Sequence, residues 1–434
     1  MIGKRSFACG LAVVLVAGVA ARLMVLLFAE PHAWVAGSDT PFYVRQGWLV
    51  AHGSSPLLTS VAPAYTWLLA TAWSCFPAAP LPPSDDAIPV ALLTLVRVVQ
   101  VACSLGMIAA AAALARRWTG STRAALVTGA GLALAPGFVL EPFRVLTESV
   151  FLALLYLGVL LLVSRRQARP REQVPVGLVL ALAVLVRPVL LALPVALAAW
   201  QWLAGPARSR RLGAAVLLLA FAAPLAPWSA SLHRRSGSWL PPGLAANLWL
   251  GAVGDGRWHG SEAADALRSR FANGPDDYLG ELATAIRTAP ARWLSVRVRN
   301  LAVALAQPHF AAEVRGPATR AALARWWRDD RRPAALLALL TAPPTLLKLA
   351  LYAAHWAALV GGIAGLLRWR RRWRELVPLW AVILYFPCVH LFLTAVPRYL
   401  LPIQPALWIA CALLFVPPPA TTSPATVTLP REGA

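Results

Sequence analysis

Apolar runs about as long as a bilayer is thick recur along this chain, and nearly all of them end on arginines. They lie near 7–29, 89–114, 122–140, 148–163, 175–203, 212–230, 344–367, 376–395 and 399–416. A membrane-crossing helix needs roughly 20 such residues. Hydrophobic residues make up 59% of the 434 and charged residues 13%, against roughly 25% charged in an ordinary soluble domain. There is too little polar surface to coat a water-soluble globule, so the sequence predicts an all-α polytopic membrane protein. The first run follows Lys4 and Arg5 and exceeds the roughly 7–15 residues of a signal-peptide core. It reads as an uncleaved span. The run 175–203 is too long for one span and is broken at Arg187, Pro188 and Pro194. Cationic clusters on both sides make it a hairpin of two short or re-entrant helices, a broken backbone that only the inside of a bundle tolerates. The total is about ten spans.

A formal charge of +22 raises the question of nucleic acid. The cations, however, are nearly all Arg at the ends of apolar runs, with Lys only at Lys4 and Lys348, and membrane topology explains that pattern better. Lys4/Arg5, Arg116/Arg117, Arg165/Arg166/Arg169/Arg171, Arg208/Arg210/Arg211 and the arginines from Arg368 to Arg374 fall on one side. By the positive-inside rule that side is cytoplasmic. The N-terminus is then cytoplasmic, and loops 30–88 and 231–343 form an outer cap on a transmembrane domain covering 1–416. Within the cap, 40–52 and 63–76 are short and aromatic-rich and read as interfacial helices, while 261–272 and 276–306 carry helical periodicity with Arg and Trp interleaved. The segment 417–434 lacks the apolar content to fold and reads as a disordered cytoplasmic tail. Cys9, Cys103, Cys388 and Cys411 fall in apolar runs and leave Cys75 without an obvious partner, so no disulfide framework is expected.

No Walker loop, dinucleotide glycine motif, cysteine pair or HExxH occurs. His355 and His390 lie in or beside spans, where structural hydrogen bonding is the plainer role. Several of the 18 acids stand where outer water meets the membrane. Asp39 follows the first span in Gly37-Ser38-Asp39-Thr40-Pro41. An Asp before a helix with Pro in its first turn is a common N-cap, yet Ser38 and Thr40 can cap equally well and leave Asp39 free to face a cavity above the bundle. Glu141 and Glu148 flank the next outer loop, with Arg144 between them; Glu148 opens the fourth span, where the helix dipole alone would favour it. Arg187 inside the broken hairpin costs roughly 2.5–3.5 kcal/mol without compensation and so calls for an anionic partner. Arg398 stands at the outer start of the last span, where it can snorkel or bind. Arg22 and Arg97 also interrupt spans, near enough to an interface to snorkel. A carboxylate above a bundle holding guanidinium groups suits a substrate with an anionic head at the surface and a tail in lipid, such as a lipid-linked phosphate.

These residues resemble the GT-C superfamily of integral-membrane glycosyltransferases, in particular bacterial glycosyltransferase family 39, related to protein O-mannosyltransferases and aminoarabinose transferases. The similar stretches are, in order, Asp39 to Tyr43, Ala62-Pro63-Ala64-Tyr65, Leu146-Thr147-Glu148, Leu185 to Pro188, Pro227-Trp228, Asn247-Leu248-Trp249-Leu250-Gly251 and Arg398-Tyr399-Leu400-Leu401-Pro402. The resemblance implies a GT-C fold and an inverting transfer of one sugar from a polyprenyl phosphate to a lipid, glycan or protein acceptor. The reaction would lie on the extracytoplasmic face of a bacterial inner membrane, and the arginine-rich composition suits a GC-rich bacterial genome. It further implies Asp39 as general base, Arg187 and Arg398 as ligands of the donor phosphate, and Glu148 as an acceptor-orienting acid. Tyr43, Tyr65, Glu141, Arg144 and Asn247 complete the expected acceptor-facing set. Many relatives carry Asp-Glu in the first loop; here Thr40 follows Asp39, which leaves any metal-binding role of that second acid unassigned. Membrane lipids are expected partners and nucleic acid is not.

Two other readings compete. A secondary transporter would share the broken helix, the intramembrane Arg and the span count, but predicts small outer loops rather than the long 231–343. An O-antigen ligase or polymerase would use a similar donor with Arg and His in a large outer loop, where His233, His259 and His309 stand.

Overall fold

A computed structural model describes residues 2–32, 35, 39–53, 61–165, 169–203, 208–237, 239, 278–314 and 319–417. Among these residues every regular element is helical. In chain order the α-helices are α1 (Ile2–Phe28), α2 (Thr40–Ala51), α3 (Pro63–Trp73), α4 (Val90–Thr119), α5 (Thr122–Leu134), α6 (Pro136–Leu140), α7 (Glu148–Ser164), α8 (Val174–Val186), α9 (Leu193–Leu203) and α10 (Arg208–Ser236). They continue with α11 (Tyr278–Thr288), α12 (Pro290–Ala306), α13 (Thr319–Arg325), α14 (Pro333–Thr341), α15 (Pro343–Arg368), α16 (Val377–Phe392) and α17 (Ile403–Ala412). Asn247, His259 and the segments 261–272 and 418–434 lie outside the described residues.

Four helices are long and apolar enough to cross a membrane, within α1, α4, α10 and α15, and a fifth span is reached if the bent pair Thr122–Leu134 and Pro136–Phe143 counts as one. The other apolar runs fold as helices of 17 residues or fewer. Proline sets several of these limits, since it lacks an N–H and forces its predecessor out of the helical region. Ala135 before Pro136 has ψ 121°, and Arg187 before Pro188 has φ −143° and ψ 106°. The run 175–203 folds as two helices, α8 and α9. Gln173, leading into α8, and Gln201, near the end of α9, both reach the surface at Gly213 of α10. The two helices therefore begin and end at the same level, and their turn carries Arg187. The periodic stretch 276–306 is likewise divided, at Pro290, into α11 and α12.

Small residues let helices approach closely. Gly177 of α8 faces the backbone of Leu217 and Phe221 on α10, and Gly362 and Gly365 of α15 face Leu407 and Ala410 of α17. α2 and α3 pair through Gly47 against Leu69, and the Trp73 indole donates to Val44 O at 2.9 Å. Val44, Tyr65, Leu69 and Trp73 are fully buried, so this pair turns much of its aromatic surface into the protein.

Two expectations need correction. Arg22 and Arg97 do not snorkel: Arg22 is 1% exposed, and Arg97 is buried too. Arg22 donates to Gly18 O, Ala133 O, Ser104 Oγ and Phe138 O at 2.8–3.2 Å, and Arg97 donates to Phe143 O at 2.9 Å. The bend at Pro136 leaves carbonyls without intrahelical donors, and a guanidinium offers five N–H groups in a fork; these arginines satisfy carbonyls that would otherwise be orphaned. Nor is 141–147 an open loop, because all seven residues are buried. Gln100 on α4 holds it, donating to Pro142 O at 2.9 Å and Arg144 O at 2.6 Å.

Candidate functional site

Interrupted helices place charged side chains where continuous ones would not. Asp39 precedes α2, Arg187 sits in the turn between α8 and α9, Arg398 lies in the 3-10 turn Pro397–Leu400, and Glu148 opens α7. Arg187 precedes Pro188, which ends α8 and leaves Arg187 at φ −143° and ψ 106°; Arg398 follows Pro397, the first residue of its 3-10 turn, and Asp39 lies two residues before Pro41 in the first turn of α2.

The four groups form a chain of ion pairs. Arg398 Nη2 donates to Asp39 Oδ2 at 2.6 Å, and its Nε lies 3.1 Å from Glu148 Oε1. The same Oε1 accepts from Arg187 Nη1 at 2.7 Å. Thr147 Oγ1 donates to the other oxygen, Oε2, at 3.3 Å. Along the chain, side-chain exposure falls from 56% for Asp39 through 20% for Arg398 to 3% for Glu148, with Arg187 beyond it at 15%. Two cations and two anions cancel, and the outermost member is a solvent-facing carboxylate. Although Asp39 occupies the N-cap position of α2, its side chain makes no capping bond. Its oxygen is directed to Arg398 instead.

The Tyr399 ring organises the cations, a contribution the sequence reading did not assign. Arg187 and Arg398 lie 5.4 and 5.3 Å from its centroid, and His390 stacks on it at 5.4 Å. A ring face carries negative quadrupole density that attracts guanidinium groups. Phe151 adds a second face 5.7 Å from Arg187. The turn itself is fixed by Tyr385, whose hydroxyl donates to Val189 O at 2.6 Å and accepts from Ala192 N at 3.2 Å. Burial works against the Arg398 cation, but Glu148 and Asp39 outweigh it and hold its pKa well above the ordinary value. It stays charged.

Tyr43 lies in the field of all four charges and meets Tyr65 edge to face at 5.4 Å. Tyr65 donates to Gln100 Oε1 at 2.6 Å, and through Gln100 it is tied to the carbonyls of 142 and 144. Burial pushes both phenols upward, so both are neutral donors. Glu141 and Arg144 belong to a separate set. Glu141 Oε2 lies 2.7 Å from His309 Nε2, and Arg144 Nη1 is 2.7 Å from Glu313 Oε1. Phe310, held at φ 72°, lies between these contacts with its ring 5.4 Å from Arg144. This set latches 307–314 onto the buried 141–147 segment rather than joining the Asp39 chain. Among the described residues the other histidines have simple partners: His32 bonds Ile88 O, His52 bonds Trp48 O, His355 bonds Leu305 O and Gln404, His390 bonds Thr394 O, and His233 stacks on Trp239. Asn247 lies outside the described residues, and among those residues no three His, Cys, Asp or Glu side chains converge as metal ligands would.

A hollow next to the Pro397–Leu400 turn is lined by Ala135, by residues of α6, α12, α15 and α17, by 307–309 and by Pro397, Leu400 and Leu401, and none of the four charged residues lines it. The 3-10 turn that carries Arg398 thus separates this largely apolar hollow from the charged chain.

No family model matches this chain, and no curated protein does. Among solved structures, the crystal structure of the Archaeoglobus fulgidus oligosaccharyltransferase tethered to an acceptor peptide containing the NVT sequon aligns at 15% identity with a TM-score of 0.47. The alignment covers 95% of this chain and 50% of that one, so this chain spans about half the length of the archaeal protein.

Proposed function

We propose that this chain is a GT-C-type membrane glycosyltransferase that moves a sugar, with inversion, from a polyprenyl phosphate to an acceptor hydroxyl or amine at the extracytoplasmic face of a bacterial inner membrane. The observation that carries this reading is the ion-pair chain, with an exposed carboxylate at its outer end and two guanidinium groups on one aromatic ring behind it. In the reaction an acceptor oxygen forms a bond to the anomeric carbon while the bond from that carbon to the phosphate oxygen breaks, its electron pair leaving with the phosphate. The acceptor proton passes to Asp39. A carboxylate is too weak a base to remove an alcohol proton in the ground state, so this transfer comes late, as the phosphate departs.

Arg398 links the two halves of that event. Its Nη2 pairs with Asp39. A phosphate that recruits Arg398 and Arg187 draws Arg398 away and leaves the carboxylate free to meet the acceptor. Charge-assisted guanidinium contacts to phosphate are short and strong, and donors aimed at the developing charge lower the barrier. Glu148 then keeps the two cations side by side, and Tyr43, backed by the buried ring of Tyr65, offers a neutral hydroxyl to the sugar or acceptor side.

The test incubates purified protein in lipid with a panel of polyprenyl phosphate sugars and compares the native chain with Asp39→Asn and Arg187→Ala. Loss of a general base costs roughly 10²- to 10⁴-fold in rate. An Asp39→Asn protein that remains folded and transfers sugar at the native rate overturns the assignment.

A further inference from the structure

One end of the helical bundle carries a concentration of arginine. Side-chain contacts show which helix ends meet there. The Arg116 guanidinium lies 4.3 Å from the Phe7 ring, joining α4 to α1, and Arg117 donates to Val163 O and Ser164 O at the end of α7. Arg123 at the start of α5 faces Phe415 at 6.0 Å, while Arg368 donates to Leu414 O and Trp369 to Leu413 O at the end of α15.

The densest part is 368–375, with five arginines and one glutamate. Glu375 is taken by Arg372, at 2.9 Å from Nε and 2.6 Å from Nη2. Arg370, Arg371 and Arg374 are exposed and have no carboxylate partner among the described residues. Arg374 instead stacks on Trp373 at 5.7 Å, and Trp373 is itself 53% exposed. Exposed aromatics beside guanidinium groups at the end of apolar helices match the level of lipid headgroups, and an Arg fork fits phosphate oxygens in pairs.

We infer that this arginine-rich end is a binding surface for anionic phospholipid headgroups. Guanidinium groups on the 368–374 segment take the phosphodiester oxygens, and Trp373 and Phe415 lie among the upper acyl carbons. Charge complementarity selects the partner: a zwitterionic headgroup offers the same phosphate but returns its own cation, so the patch favours lipids with net negative charge. This inference stands independently of sugar transfer.

The experiment places the full chain in nanodiscs of phosphatidylcholine with phosphatidylglycerol at equal mole fraction and reads the lipids retained on the released protein by native mass spectrometry. The native chain retains phosphatidylglycerol preferentially. Arg370→Gln/Arg371→Gln/Arg374→Gln alters exposed side chains only, and each lost cation weakens the preference by about fivefold. A control, Arg328→Gln/Arg331→Gln/Arg332→Gln, removes three exposed arginines from the segment preceding α14 and leaves the preference unchanged. Equal retention of both lipids by the native chain overturns the inference, as does an unchanged preference in the 370/371/374 variant or an equal loss in the control. Preferential capture of a single-stranded RNA over phosphatidylglycerol by the same patch overturns it in favour of a nucleic-acid surface.

Discussion

Replacing Glu148 with glutamine keeps the shape of the side chain and removes the one charge that holds Arg187 and Arg398 together. Its Oε1 lies 2.7 Å from Arg187 Nη1 and 3.1 Å from Arg398 Nε, and the side chain is only 3% exposed. Two unit charges about 4 Å apart attract by about 4 kcal/mol at an effective dielectric near 20. Desolvation offsets part of that for each partner, so the interaction energy is not the net stability. Removing one member of a buried pair costs about 3–5 kcal/mol because it strands the remaining charge, and here Arg187 loses its carboxylate while Arg398 keeps only Asp39. At about 2 °C per kcal/mol, the thermal midpoint falls by about 6–10 °C. Fluorescence-detected size exclusion after heating in detergent measures it. The cycle with Arg187→Gln supplies the control: once the second cation is neutral, Glu148→Gln costs less, with a coupling of about 0.5–3 kcal/mol. A native-like midpoint for Glu148→Gln, or strictly additive losses in the double variant, refutes the proposition that this acid acts by neutralising the two arginines.

Arg22→Met removes donors from Ala133 O and Phe138 O; each buried carbonyl left unsatisfied costs about 1–3 kcal/mol, and Arg22→Lys, with a single nitrogen, recovers only part of the lost midpoint. Gly365→Ala sets a methyl against the Ala410 carbonyl, and overpacking there destabilises by about 1–3 kcal/mol, read in the same heating assay. The pH response of Tyr43 and Tyr65 follows from their raised pKa values. The folded chain holds these protons more tightly than the unfolded one, so their stabilisation is complete below the unfolded value near 10 and is lost as pH rises beyond it. Melting midpoints of native and Tyr43→Phe/Tyr65→Phe chains between pH 7 and 11 should diverge only above about pH 10, with the native chain losing more; parallel curves contradict the assignment.

The sequence determined the helical class and the number and order of apolar runs, because both depend on local composition. It also marked the helix break at Pro188, since a missing N–H acts within a few residues wherever the chain goes, while the run 122–140 reads as unbroken although the chain bends at Pro136. Asp39, Glu148, Arg187 and Arg398 stood out for a related reason: charges are rare in such a chain, and each sits at an interruption. What the sequence did not contain was pairing. That Glu148 serves two arginines, that Glu141 and Arg144 turn to His309 and Glu313, and that Tyr399 lies beneath both guanidinium groups depend on segments from 39 to about 250 residues apart meeting in space. Arg22 and Arg97 show the same division. Their spacing from helix ends suggested headgroups, but their environment is set by carbonyls freed at a bend in another part of the chain, and only the tertiary fold brings those carbonyls to them.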